Sequence, residues 1–309
     1  MSTTDRAWIR QSLTGPVASI RTPFEKDGSI DYDGLRRAID FNIEAGSKTI
    51  LLTAGDSHYV ALSDEEISEV TRVTVAHTGR RALVVAADRC FSTRRALAFA
   101  DYCRGIGVHV LMLMPPDWGA SCTPETLSAY YTHVAEQIPV MVVTNVFIPR
   151  GEAFGLRTIE KTLVATNHVV AIKDDMCGVF ARKMCLLVHD RWAVFAGGQK
   201  QNHMNMHPYG CDGYLSTFIT FRPAIAHRYW AAIESANLAA AAAVIRDYDI
   251  PFFDWVMGMP GGFDAGIHGV LELFGICKRW RRPPYYSLND ADMERLREGL
   301  RSRSILANE

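Results

Sequence analysis

The sequence lacks any apolar run approaching the roughly 20 residues of a membrane span. Its opening segment, MSTTDRAWIRQSL, has no apolar core of signal-peptide length. A cytoplasmic protein that engages no membrane is expected. Charge of one sign is not in excess either: 33 basic residues face 34 acidic ones, for a net charge of −1. Nucleic-acid binders carry a basic excess, so no nucleic-acid partner is expected. The arginines near the C-terminus (Arg279, Arg281, Arg282, then Arg295 to Arg303) are interleaved with acids and read as a solvated helix face. The seven cysteines, Cys90, Cys103, Cys122, Cys177, Cys185, Cys211 and Cys277, form no CxxC pair, and their number is odd. That argues against a disulfide framework and a structural zinc site, and leaves small core residues as the reading. No linker rich in Gly, Ser or Pro interrupts the chain, and no low-complexity segment is present.

What is present is alternation. The 309 residues are 48% hydrophobic and 22% charged, ordinary for a globular protein. Short runs rich in Val, Ile and Leu begin near Val17, Thr49, Ala82, Val108, Val140, Val169, Trp192 and Gly213. Several, such as 83–87, 108–112 and 169–172, have no polar alternate, as in strands buried on both faces of a parallel sheet. Between them lie segments with helix signals. Asp31 precedes 32–45 and Gly46 follows it. Ser63 and Glu66 form a capping box before 67–77. Thr123-Pro124 opens 127–136, and 92–105 is a further helix. Eight strands with helical connections predict an α/β fold, a (β/α)8 TIM barrel over residues 1–222. Residues 223–309 read as a C-terminal helical extension packed on the barrel, with helices over 223–235, 237–249, 265–274 and 290–302.

In such a barrel the active site lies at the C-terminal ends of the strands. Lys173 closes the run Val169-Val170-Ala171-Ile172. An amine there is partly desolvated, which favours its neutral, nucleophilic form, as Schiff-base chemistry with a carbonyl requires. A strand-end lysine paired with Asp174 or Asp175 is an equally weighted reading. Thr53-Ala54-Gly55 offers small residues and backbone N–H groups that could hold a carboxylate, or simply a tight turn. Gly197-Gly198 allows close backbone approach, to a phosphate or a hydroxylated chain. His203 and His207 have metal-ligand spacing, but no third ligand is evident and an ordinary helix face is the better reading.

These residues resemble a known family, the dihydrodipicolinate synthase / N-acetylneuraminate lyase family of pyruvate-type class I aldolases. The resemblance runs nearly end to end. It is carried by Thr22-Pro23-Phe24, by Leu52-Thr53-Ala54-Gly55-Asp56, by Ala171-Ile172-Lys173-Asp174, by Gly197-Gly198 with Gly213 and Ser216, and by Arg282-Pro283-Pro284. It implies a barrel with a helical extension, a homotetramer built as a dimer of dimers, and a lysine imine with a 2-keto acid. No metal or organic cofactor is implied. Lys173 would be the Schiff-base nucleophile, and Thr53, Ala54 and Gly55 would hold the substrate carboxylate.

The departures are informative. Thr144-Asn145 stands where the family has a Tyr-Asn pair whose phenol moves protons. Ala54 replaces a second threonine of the turn, and Asp117-Trp118 replaces a tyrosine pair. Arg150 matches an arginine that binds a distal carboxylate, and Gln199-Lys200 stand where sialic acid lyases have acidic residues. The expected site is therefore Lys173 and Thr144 as catalytic positions, with Thr53, Ala54, Gly55, Arg150, Gly197, Gly198 and Ser216 binding substrate. His58, Tyr59 or Asp56 could supply the missing proton shuttle. The expected activity is a Schiff-base lyase on a 2-keto acid, as a 2-keto-3-deoxy acid dehydratase or aldolase. A non-catalytic keto-acid-binding or regulatory member is the alternative, a phosphate-binding barrel enzyme a third. True dihydrodipicolinate synthesis and sialic acid cleavage rank below these.

Overall fold

Strands apolar on both faces need cover on both, and a closed parallel sheet ringed by helices supplies it. The computed structural model describes residues 3–306. Its strands are β1 (Gly15–Ser19), β2 (Thr49–Leu51), β3 (Leu83–Ala87), β4 (Val110–Leu113), β5 (Val140–Val143), β6 (Val169–Asp174), β7 (Ala193–Ala196) and β8 (Gly213–Leu215). Each pairs in parallel with the next, and β1 pairs with β8 through Gly15–Gly213, Pro16–Tyr214 and Val17–Leu215, which closes the barrel. Every residue of β3 and β6 is buried, as their unbroken apolar runs require.

The helices are α1 (Thr3–Leu13), α2 (Tyr32–Glu44), α3 (Asp64–Thr78), α4 (Thr93–Ile106), α5 (Pro124–Ala135), α6 (Glu152–Ala165), α7 (Gly178–Val188) and α8 (Gln199–Met206). The predicted caps form. The Ser63 hydroxyl accepts from Glu66 N–H at 3.2 Å while Glu66 accepts from Ser63 N–H at 2.9 Å. Helix α1 has no counterpart in the sequence reading. Its buried apolar residues, Ile9 and Leu13, are too few to mark a periodic face. It is fastened to the N-terminal end of the barrel by Arg10, whose guanidinium donates to the carbonyls of His189 (2.5 Å) and Trp192 (2.7 Å).

After β8 come α9 (Pro223–Glu234), α10 (Leu238–Val244), α11 (Ile250–Val256), α12 (Gly262–Leu273) and α13 (Asp290–Ser302). The single helix expected over 237–249 differs from this. It loosens into a π-turn over Ile245–Asp249 and runs on as α11. Pro251 has no N–H for the carbonyl one turn back, so the regular ladder fails there. Cross-links join these helices to the barrel. Lys200 Nζ meets Asp249 Oδ1 at 2.7 Å, His58 Nε2 meets His268 Nε2 at 3.1 Å, and His227 Nε2 bonds the Ala45 carbonyl at 2.8 Å. Arg282 binds both oxygens of Glu66, at 2.7 and 2.8 Å. Among the described residues no helix is long and apolar enough to cross a membrane.

Candidate active site

Strand β6 sets the site. Its register places Lys173 between Val143 of β5 and Phe195 of β7. The lysine's methylenes are thus packed inside the sheet, and the residue is only 8% exposed. Its ammonium emerges at the C-terminal mouth and meets both oxygens of Asp175, at 2.5 and 2.7 Å. The ion pair considered from the sequence is therefore real, and its partner is Asp175. Asp174 does different work. Its carboxylate accepts from the Thr144 hydroxyl (2.8 Å) and from the N–H groups of Met176 (3.2 Å) and Cys177 (2.9 Å), fixing the turn into α7. Burial raises the pKa of this carboxyl, and those donors oppose the rise.

A cavity of about 200 Å³ lies over Lys173 and Asp175. Thr53, Ala54, Gly55 and Asp56 of the β2 turn line one side, Met112, Met114, Val143 and Asn145 another, and Leu215 completes it. A roomier cleft, about 750 Å³, opens at the opposite end of the barrel beside Arg6, Arg10 and Arg191. Its size does not make it the reaction site, because no lysine lines it and it lies away from the C-terminal ends of the strands. The β2 turn is braced from within. Thr53 N–H donates to Ser57 Oγ at 3.0 Å, and the Thr53 hydroxyl accepts from Asp56 N–H at 2.9 Å. The N–H groups of Ala54 and Gly55 donate to no acceptor among the described residues. A Cβ on Gly55 would meet open space.

Asp56 faces the same cavity but is held elsewhere. Ser19 Oγ donates to it at 2.5 Å, and Arg21 lies at 3.5 Å. Burial alone would raise its pKa; Arg21, the Ser19 hydroxyl and the Lys173 charge together lower it, so the group stays ionised. His58 and Tyr59 do not line the cavity. His58 is turned onto His268 of α12, and burial, with Arg281 adding, pulls it down to about 4. Tyr59 is fully buried, and burial raises its phenol.

The sequence-predicted residues divide accordingly. Lys173, Thr53, Ala54 and Gly55 converge on the cavity. Thr144 is fully buried beneath it. Its hydroxyl donates to Asp174 and accepts from Asp175 N–H at 2.8 Å, so it aims the two acids and has no proton left for a substrate. Gly197 and Gly198 do not open space for a ligand. A Cβ on Gly197 would collide with Asp175 Oδ1 and sit 2.8 Å from Lys173 Nζ; one on Gly198 would collide with the Asn202 amide. Arg150 is ion-paired with Asp117 at 2.5 Å and lies over the Phe154 ring. Ser216 is fully buried, accepting from Ile219 N–H at 3.4 Å. Gln199 bonds Thr217, and Lys200 is buried on Asp249, so neither meets the cavity. His203 bonds the Tyr229 hydroxyl at 2.9 Å, and no metal-capable group of three His, Cys, Asp or Glu occurs among the described residues. Asp175 and Asn145 were missed as site residues. The signal for Asp175 was in the sequence: two residues beyond Lys173, an extended chain returns to the same face.

A strand-end lysine bound to a carboxylate, at the mouth of a closed (β/α)8 barrel and beside a turn of small residues, defines a site suited to carbonyl chemistry. The dihydrodipicolinate synthetase family model matches residues 12–302, and the chain belongs to that family. It is similar to an uncharacterised DapA-like lyase of Rhizobium meliloti, at 26% identity over 96% of this chain and 98% of that one. It is also similar to the 4-hydroxy-tetrahydrodipicolinate synthase of Methylococcus capsulatus, at 30% identity over 95% of this chain and all (100%) of that one. Among solved structures, the N-acetylneuraminate lyase of Fusobacterium nucleatum superposes with a TM-score of 0.83 at 15% identity, over 94% of this chain and 99% of that one. A prophage protein of the dihydrodipicolinic acid synthase family from E. coli K12, solved with pyruvate, gives 0.81 at 21% identity, over 95% and 99%. At these identities the superpositions speak for the fold.

Proposed function

We infer that this protein is a class I lyase in which Lys173 forms a Schiff base with a 2-keto acid, a 2-keto-3-deoxy acid in our reading, and then eliminates water or cleaves a C–C bond. The observation that carries this is the placement of Lys173 Nζ at the floor of a small cavity, against a carboxylate and opposite a turn with unspent N–H groups. The keto carbon would meet the amine, and the substrate carboxylate would take the Thr53 hydroxyl and the Ala54 and Gly55 N–H groups. The iminium then draws electrons from the neighbouring carbon. A cavity of about 200 Å³ suits a short keto acid rather than a long sugar chain. Family membership and the lyase and synthase names of the relatives support the class. Thr144 acts as a positioning residue. Arg150 could reach a distal carboxylate only by leaving Asp117. A cytoplasmic homotetramer remains part of the proposal.

The test is borohydride trapping. The protein is incubated with pyruvate and a panel of 2-keto-3-deoxy sugar acids, reduced, and mapped by mass spectrometry. The expected result is an adduct on Lys173 that Lys173→Ala abolishes. No adduct with any keto acid, in folded protein, would overturn the reading in favour of a binding or regulatory role.

A further inference from the structure

Imine formation needs more than a nucleophile. An ammonium must lose a proton before it can attack, and the carbonyl oxygen must gain two before it can leave as water. The carbon beside the imine must then lose or gain a proton as well. Four side chains were candidates for these transfers. Thr144 has both hydroxyl bonds engaged with its neighbours. Asp56 is held ionised by Arg21 and Ser19. His58 and Tyr59 lie outside the cavity. Asp175, in contrast, lines the cavity and touches Lys173 Nζ with both oxygens, and its side chain is 23% exposed towards the mouth. Its position is enforced twice, by the Thr144 hydroxyl on its backbone N–H and by Gly197, where no side chain fits beneath it.

We propose that Asp175 is the general acid–base of this site, carrying every proton between Lys173, the departing oxygen and the carbon beside the imine. This rests on the Schiff-base reading of Lys173. Asp175 takes one proton from the ammonium. The freed lone pair attacks the keto carbon, a C–N bond forms, and the C=O π pair moves to oxygen. Protonated Asp175 gives its proton to that oxygen and takes up the proton in excess on nitrogen, giving a neutral carbinolamine and leaving Asp175 protonated. Protonated Asp175 then gives its proton to the hydroxyl; the C–O bond breaks, water departs, and the nitrogen lone pair closes the C=N bond. The iminium carries the positive charge the ammonium had, and Asp175 is again its counter-ion. As a carboxylate it next removes a proton from the adjacent carbon to give the enamine, or, in the cleavage direction, returns one to it.

The experiment follows solvent deuterium entering the methyl group of pyruvate by NMR, alongside borohydride trapping of the same samples. The proteins are wild type, Asp175→Asn and Asp175→Ala, each checked for fold by circular dichroism. The amide of Asp175→Asn keeps the shape under Gly197 but cannot carry a proton. We expect exchange and trapping rates to fall by about 100-fold or more, as for loss of a general acid–base. Added formate should restore exchange in Asp175→Ala, which has room for it, and not in Asp175→Asn. A purely structural role would show no formate rescue, and that result overturns the proposal. Wild-type rates in Asp175→Asn, with the Lys173 adduct still formed, also overturn it while leaving the Schiff base intact. No adduct in the wild type overturns both.

Discussion

Lys200 of α8 and Asp249, beside α11, form an ion pair in which both side chains have no solvent exposure. Removing either partner strands a charge in the interior, and the protein's cheapest escape is to neutralise it. For Asp249→Leu the escape is loss of a proton from Lys200, whose pKa burial already pulls down, opposed by Asp249 in the intact pair. From a usual lysine value of 10.5, neutralisation at pH 7 costs about 5 kcal/mol. The unfolded chain binds that proton and the folded variant does not, so the loss shrinks by about 1.4 kcal/mol per pH unit upward. For Lys200→Met the escape is protonation of Asp249. From the usual 3.8 this costs about 4 kcal/mol at pH 7 and shrinks as pH falls. The two variants should thus be destabilised by similar amounts near neutrality, with opposite pH slopes. At roughly 2 °C per kcal/mol for a chain this long, the melting point drops by about 8–10 °C. The double variant Lys200→Met/Asp249→Leu removes both charges, and with them the unpartnered Asp249 Oδ2, and should return close to wild type. Calorimetry and urea midpoints from pH 5 to 9 are the assay. Equal slopes in the two single variants, or a double variant as unstable as either, would refute the reasoning.

Three further outcomes are expected. Gly197→Ala must push Asp175 off Lys173, so it should abolish adduct formation while the circular dichroism spectrum is unchanged; normal trapping would show that the close approach is not required. The His58–His268 pair is buried neutral, with His58 near 4, whereas unfolded histidine takes up a proton near 6.5. Stability should therefore be flat above pH 6.5 and fall by about 2–3 kcal/mol for each of the two histidines between pH 6.5 and 4; a flat profile in that window, read in a His268→Gln comparison, would count against it. Thr144→Val removes the hydroxyl that holds Asp174 and Asp175 together, so it should slow trapping by about 10-fold or more without shifting the pyruvate concentration needed; unchanged trapping would leave Thr144 a packing residue.

The barrel was legible in the sequence because a strand buried on both faces has no polar alternate, and eight such runs allow few architectures. Lys173 was legible because it ends one of them. The alternation of an extended chain favours Asp175 over Asp174 as its partner but does not fix the pairing. That depended on the turn into α7, where Asp174 is turned inward by Thr144 and two backbone N–H groups and Asp175 is left facing the mouth. Gly197 and Gly198 carried a true signal of close approach, but small residues do not say what approaches; here it is the protein's own Asp175 and Asn202. The burial of Lys200 had no signal in the sequence, because its counter-charge, Asp249, is folded against it from a distant segment. Helix α1 was invisible because two buried apolar residues make no periodic pattern.

The cross-links between the barrel and the helices after β8 bear on how the molecule comes apart. Asp249, His268 and Arg282 reach Lys200 of α8 and His58 and Glu66 of the β2–α3 unit, two separated parts of the ring. A chain cut after residue 222 would leave Lys200 without its counter-charge and His58 without its ring partner. The helical segment should therefore not fray ahead of the strands. Its most protected amide hydrogens should exchange with solvent at the same rate as those of β6 to β8, in one cooperative opening rather than two.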